Sequence, residues 1–138
     1  MSELESLKIQ LVKQFYEGFN RNDVSRLDCL SEDWEGIPAA PGQSPGREGM
    51  KKLVTGYLTM FEGLNVKWED CIESENKVVV RNTITAKHVG EFCGIPGSGQ
   101  RISMMCIDIH EIKNGYIVKS WHVEDWLSGF IQIGHLKG

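Results

Sequence analysis

Apolar residues in the first third of the chain recur every three or four positions. Leu4, Leu7, Leu11 and Phe15, with Val12 and Phe19 beside them, make one stripe of a helix. Ser2-x-x-Glu5 ahead of that stripe has the form of a capping box, and the helix is expected to end near Gly18–Asn20. A short second helix is expected from Asn22 or Asp23 to about Leu30. The stretch EGIPAAPGQSPGRE carries neither helical nor strand period and reads as a loop. Beyond it, Met50, Leu53, Val54, Tyr57, Leu58 and Phe61 form the apolar face of a third helix, roughly Arg47–Phe61.

From residue 64 the period changes to alternation. Val66, Trp68, Asp70 and Ile72 alternate with Asn65, Lys67, Glu69 and Cys71 in a first strand. NKVVVRNTITAKH predicts a second strand and RISMMCIDIHEI a third. Asn114-Gly115 is a two-residue hairpin signal leading into YIVKSWHVE, the fourth. DWLSGFIQIG closes the chain as a short helix. Helices followed by a meander of strands predict an α+β fold, with helices packed on one face of a curved antiparallel sheet.

The hairpin turn also predicts a register. If Lys113 pairs with Tyr116, then Ile112 faces Ile117, His110 faces Lys119, Asp108 faces Trp121, Cys106 faces Val123 and Met104 faces Asp125. One face of the sheet would then gather Asp108, His110, Trp121 and Asp125. The opposite face would carry Met105, Ile107, Ile109, Val118, Ser120 and His122, with Glu124 also turned away. A slip of one residue would exchange the faces.

On that face Asp125 admits two roles. It stands where the last strand meets the last helix and is a favoured N-cap residue. Beside Trp121 and Val123 it would also be partly desolvated, which raises a carboxyl pKa toward the range useful for a general base. Asp108, in the middle of an apolar strand, needs a partner if buried. His110 shares its face and, with Asp125 as base, is the expected catalytic donor to the charge of an enolate. Trp34, Trp68 and Trp126 read as core or pocket-wall aromatics, and His88 precedes the turn-rich loop VGEFCGIPGSGQ. That loop is not a dinucleotide fingerprint, and the histidines lack metal-ligand spacing. Without a nucleophile elbow or a supported Cys–His pair, the remaining chemistry is proton transfer in an aromatic-lined pocket.

Composition sets the surroundings. The 138 residues, 41% hydrophobic and 25% charged, suit a single domain spanning 1–138. The net charge of −4 and scattered basic residues predict no nucleic-acid partner. No apolar run reaches membrane-spanning length, and the amphipathic N-terminus is unlike a signal peptide. Cys29, Cys71, Cys93 and Cys106 are widely spaced, as in proteins of a reducing compartment, so a cytoplasmic protein is expected. The apolar Met105, Ile107, Ile109, Val118 face predicts a homodimer.

Four segments carry a family resemblance: FYEGFNRNDVSRLD, PGREGMKKLV, VVVRNTITAKHVGEFCGIPGSGQRI and IDIHEIKNGYIVKSWHVEDWLSGFIQIG. Over nearly the whole chain the sequence resembles the SnoaL-like polyketide cyclases, or ester cyclases. The resemblance implies the nuclear transport factor 2-like fold, a conical α+β barrel whose curved sheet is covered on its concave face by the N-terminal helices. It implies that an aspartate matching Asp125 serves as acid/base in an intramolecular aldol-type ring closure, without cofactor. His110 and Trp121 fall where relatives line their pocket, and Trp34, Asp108 and His88 join them as expected contacts for a small hydrophobic substrate. The same fold also hosts isomerases, hydrolases and plain binding domains. Where many relatives carry a His-Asp-Pro-like turn after the second helix, this chain has DWEGIPAAPG.

Overall fold

The computed structural model describes residues 5–136. Helix α1 (Leu7–Asn20) is followed by a 3₁₀ turn (Val24–Cys29), strand β1 (Leu30–Ile37), helix α2 (Gly46–Met60), four long strands and a last helix. These are β2 (Phe61–Ser74), β3 (Lys77–His88), β4 (Arg101–Lys113), β5 (Tyr116–Glu124) and α3 (Trp126–Gln132). The expected capping box falls partly outside the described residues. Ser6 caps α1, its hydroxyl accepting the Ile9 N–H at 3.1 Å.

The sheet runs β1-β5-β4-β3-β2 and is curved and unclosed, with the α+β organisation expected. Its four long strands are antiparallel. The fifth strand, β1, runs from the expected end of the second helix into the first residues of the stretch read as loop, and lies parallel to β5 at the sheet edge. Only Leu30 and Trp34 are buried in β1, so the strand shows little apolar alternation and is held by its neighbour.

Two of the sheet's register shifts decide which side chains face inward. Lys113 pairs with Tyr116 and Ile112 with Ile117, as the Asn114-Gly115 turn predicts, but Glu111 then pairs with Lys119. Val118 is therefore an extra residue, a β-bulge, and every side chain beyond it on β5 changes face. In β2 a similar shift between Trp68 and Asp70 turns Cys71 toward the core and leaves Ile72 64% exposed. Bulges increase local bending, which wraps the sheet around α1.

Helix α1 buries Val12, Phe15 and Tyr16 against Val66, Val78, Val80 and Ile117. Asn20 fastens its end to β2, donating to the Val66 carbonyl at 3.0 Å and accepting the Val66 N–H at 2.6 Å. A second cluster joins Phe61, Ala86, Phe92, Ile102 and Met104 to the inner side of α3. Gly97 in the intervening loop is needed for close approach, because a Cβ there would lie 2.0 Å from the Val89 carbonyl oxygen.

Candidate active site

Between α1, α2 and the concave face of the sheet lies a cavity of about 130 Å³. Phe15, Phe19, Leu53, Tyr57, Phe61 and Ile84 form much of its apolar wall, with Trp34 at one side and Trp126 at another. The residues with polar groups at its surface include Asp108, Cys106, Tyr16, Tyr57, His122, Glu124 and Gln43.

Alternation along β4 brings Met104, Cys106, Asp108 and His110 to the inner face, as expected. The bulge changes their partners on β5. His110 stands across from Ser120, Asp108 from His122 and Cys106 from Glu124. The expected pairing of Asp108 with Trp121 is thus corrected by one residue. Trp121 lies on the outer face, with the Lys77 and Lys119 ammonium groups 5.6 and 5.4 Å from its ring. His122 and Glu124 take the inner positions instead.

Asp108 is 5% exposed and is the focus of the buried hydrogen bonds. Tyr16 donates to its Oδ2 at 2.6 Å, Asn82 Nδ2 to the same oxygen at 3.3 Å, and the Cys106 thiol to Oδ1 at 3.2 Å. Burial pushes its pKa up, the donated bonds oppose that shift, and the Glu124 charge adds to it. Burial likewise holds the Tyr16 hydroxyl and the Cys106 thiol protonated, well above their ordinary ranges.

His110 is fully buried beneath this group. Its Nε2 lies 2.8 Å from the Tyr16 hydroxyl and its Nδ1 2.7 Å from Ser120 Oγ, which also accepts the Trp34 indole N–H at 3.1 Å. Burial lowers the imidazole pKa to about 3, so the ring is neutral. Hydrogen-bond counting assigns its proton. With Asp108 ionised, the Tyr16 proton goes to Asp108, so Tyr16 accepts from His110 Nε2–H. Nδ1 is then the acceptor of the Ser120 hydroxyl proton. Trp34, Ser120, His110, Tyr16 and Asp108 form one directed chain with every proton used.

His122 differs in kind. Its Nδ1 lies 2.6 Å from Glu124 Oε2 and its Nε2 2.7 Å from the Pro38 carbonyl. Both nitrogens face acceptors, so both carry protons. The Glu124 hydrogen bond raises its pKa to about 9.

The remaining candidates lie apart. Asp125 is exposed and caps α3, its carboxylate accepting the Ser128 N–H at 3.2 Å and the Ser128 hydroxyl at 2.6 Å. Those bonds hold its pKa below the usual carboxylate value, and it is not among the residues lining the cavity. The expected sharing of a face by Asp125, His110 and Trp121 is therefore corrected: only His110 points inward. His88 is buried with its ring centroid 5.7 Å from that of Phe61, its Nδ1 accepting the Ser98 N–H at 3.2 Å, and it is not among the residues lining the cavity. Trp34 and Asp108 are.

Tyr16, His122 and Glu124 were not singled out from the sequence as site residues. Tyr16 carried a legible signal, since it stands four residues after Val12 on the buried stripe of α1. His122 and Glu124 did not, because their face depends on the bulge.

Cys106 Sγ and one oxygen each of Asp108 and Glu124 lie within 4.8 Å of one another. Such a set could gather round a cation, but the thiol keeps its proton and donates a hydrogen bond to Asp108, whose oxygens accept three donors in all. The arrangement is better suited to proton transfer: two carboxyl groups at the end of an apolar cavity, one of them desolvated.

Residues 10–133 match the SnoaL-like polyketide cyclase family model. The chain belongs to this family. The structure is similar to that of TsrD from Streptomyces laurentii, at 32% identity and a TM-score of 0.88 over 97% of this chain and 100% of that one. AclR from Streptomyces galilaeus, a proposed hydroxylase, superposes with a TM-score of 0.82 at 26% identity, over 95% of this chain and 83% of that one. IdmH from Streptomyces antibioticus, a proposed polyketide cyclase, shares the fold at 22% identity, with a TM-score of 0.79 over 92% of this chain and 98% of that one. No curated protein matches by sequence. The family thus extends over both clusters and all five strands. Among the described residues no helix is long and apolar enough to cross a membrane.

Proposed function

We propose that this SnoaL-like chain is a cofactor-independent acid/base enzyme that closes a ring by an intramolecular aldol-type reaction on a small hydrophobic carbonyl or ester substrate. The observation that carries this reading is Asp108: a buried carboxyl at the surface of an otherwise apolar cavity, with Glu124 beside it. Desolvation makes a carboxylate a stronger base, and the Glu124 charge works in the same direction.

Asp108 takes a proton from the carbon next to a carbonyl. The enolate carbon bonds to a second carbonyl carbon of the same molecule, whose π electrons move onto its oxygen. Protonated Asp108 then returns its proton to that oxygen, so ring closure leaves both substrate composition and enzyme unchanged. The His122 imidazolium favours negative charge developing nearby. Tyr16 positions Asp108, and His110 acts only through Tyr16. Asp125, exposed and already spent on the α3 cap, has the role of a cap.

Deuterium uptake from D₂O into the methylene of phenylacetone, followed by proton NMR with EDTA present, tests the proton-transfer step. Asp108→Asn should slow uptake by about 10²–10⁴-fold while Asp125→Asn leaves it unchanged. Equal rates for wild type and Asp108→Asn would remove Asp108 from the mechanism. Ligand binding with no uptake in wild type would favour a carrier domain.

A further inference from the structure

The cavity carries information about its ligand that the family does not. Its volume is about 130 Å³, close to that of apolar protein cavities that take up a single benzene molecule, about 150 Å³. Pockets for extended ligands are commonly about 300–1,000 Å³. Apart from Ala40 and Gln43 in the β1–α2 connection, the walls that limit it belong to helices and strands. Phe15 and Tyr16 lie on α1, held edge to face with ring centroids 5.2 Å apart, and Phe61 packs against Phe92 at 5.1 Å. Widening the space would separate α1 or α2 from the sheet that each is packed on.

Charge restricts the ligand further. Among the described residues no lysine or arginine lines the cavity. Its one cationic side chain, His122, has both ring nitrogens engaged by Glu124 and Pro38. Two carboxyl groups, Asp108 and Glu124, share the polar end. An entering carboxylate or phosphate would meet two acids and no free cationic donor.

We propose that the ligand is a neutral carbonyl compound whose enclosed part is one ring, with a second ring reaching the mouth at most, and that anionic and linearly fused three-ring analogues are excluded. This inference rests on the reading of Asp108 as a base for carbonyl substrates, but it concerns binding rather than turnover. Shape excludes the larger ring systems. The acid pair excludes the anions. Leu53, projecting from α2 into the wall, sets one dimension of the space and can be shortened without touching the polar end.

Titration calorimetry of the full chain at pH 7 separates the two filters. Phenylacetone is the one-ring neutral probe. Phenylacetate has the same skeleton with the methyl group replaced by a charged oxygen, and 1-(2-anthryl)propan-2-one extends the ring system linearly. Phenylacetone should bind at least about tenfold more tightly than either analogue. Leu53→Ala should improve 1-(2-naphthyl)propan-2-one relative to phenylacetone by several-fold. Binding of phenylacetate or the anthryl ketone within a factor of about two of phenylacetone overturns the proposal, as does failure of all three to bind. Selective binding without deuterium uptake would leave it standing and sink the catalytic reading. Uptake with the anthryl ketone preferred would do the reverse.

Discussion

Asp108 and His122 are direct partners across the β4–β5 ladder, and both side chains enter the cavity. The pairing exists because Val118 has no partner on β4. With a regular ladder from the same turn, Trp121 would stand at that position and the cavity would lose its imidazolium. One unpaired residue thus decides whether the site presents Asp108 with an aromatic ring or with a charge pair.

The two inner histidines predict a stability profile with opposite arms. His110 has a folded pKa of about 3, against about 6.5 when unfolded, so the unfolded chain binds the extra proton. Its contribution is complete above pH 6.5 and is lost as pH falls toward 3. His122 has a folded pKa of about 9, so the folded chain holds the proton more tightly. Its contribution is complete below pH 6.5 and is lost as pH rises through 9. Urea unfolding at a series of pH values should show His122→Gln flattening the alkaline arm relative to wild type. The His122 charge also lowers the pKa values of His110 and Asp108, so the comparison is confined to the alkaline arm. Parallel profiles above pH 7 would refute the assignment.

The directed chain predicts that His110 carries its proton on Nε2. Nitrogen NMR should show that tautomer, unchanged from pH 6 to pH 8. Ser120→Ala removes the donor to Nδ1 and the acceptor of the Trp34 indole, leaving two buried groups without partners. The expected loss is about 1–3 kcal/mol in stability. An Nδ1–H tautomer in wild type would break the chain at Ser120, whose hydroxyl proton would then have nowhere to go.

The outer face predicts a dimer. Met105 and Ile107 are 52% and 41% exposed, Val123 is 73% exposed, and Ile72 adds to the apolar surface. Covering such a patch is favourable by about 25 cal/mol for each Å² removed from water. Light scattering at micromolar concentration should give twice the mass of the chain, and Ile107→Lys should shift it toward monomer. A monomer at that concentration would refute the prediction.

Much of this architecture was legible locally. The 3.6-residue stripes place both ends of α2 and the C-terminal end of α1 within a residue or two of those observed, although α1 itself starts only at Leu7, and alternation places the inner face of β4 with Cys106, Asp108 and His110 together. The Asn114-Gly115 turn, with both residues at positive φ, sets the first pairs of the hairpin. Trp34 could be named as a wall aromatic although its strand could not be seen. β1 has few apolar positions, and its backbone partners come from β5, more than eighty residues later in the chain.

The sequence by itself thus determined which segments outside β1 are helical or extended and which residues of β4 share a face, because those depend on periods repeated within one element. Only the tertiary structure decided that His122 and Glu124, rather than Trp121 and Asp125, complete the site around Asp108. A strand's phase is carried forward residue by residue from its turn, so one extra residue inverts everything beyond it. Whether Val118 takes that place depends on how β4 and β1 together hold β5, and neighbours distant in sequence leave no local mark.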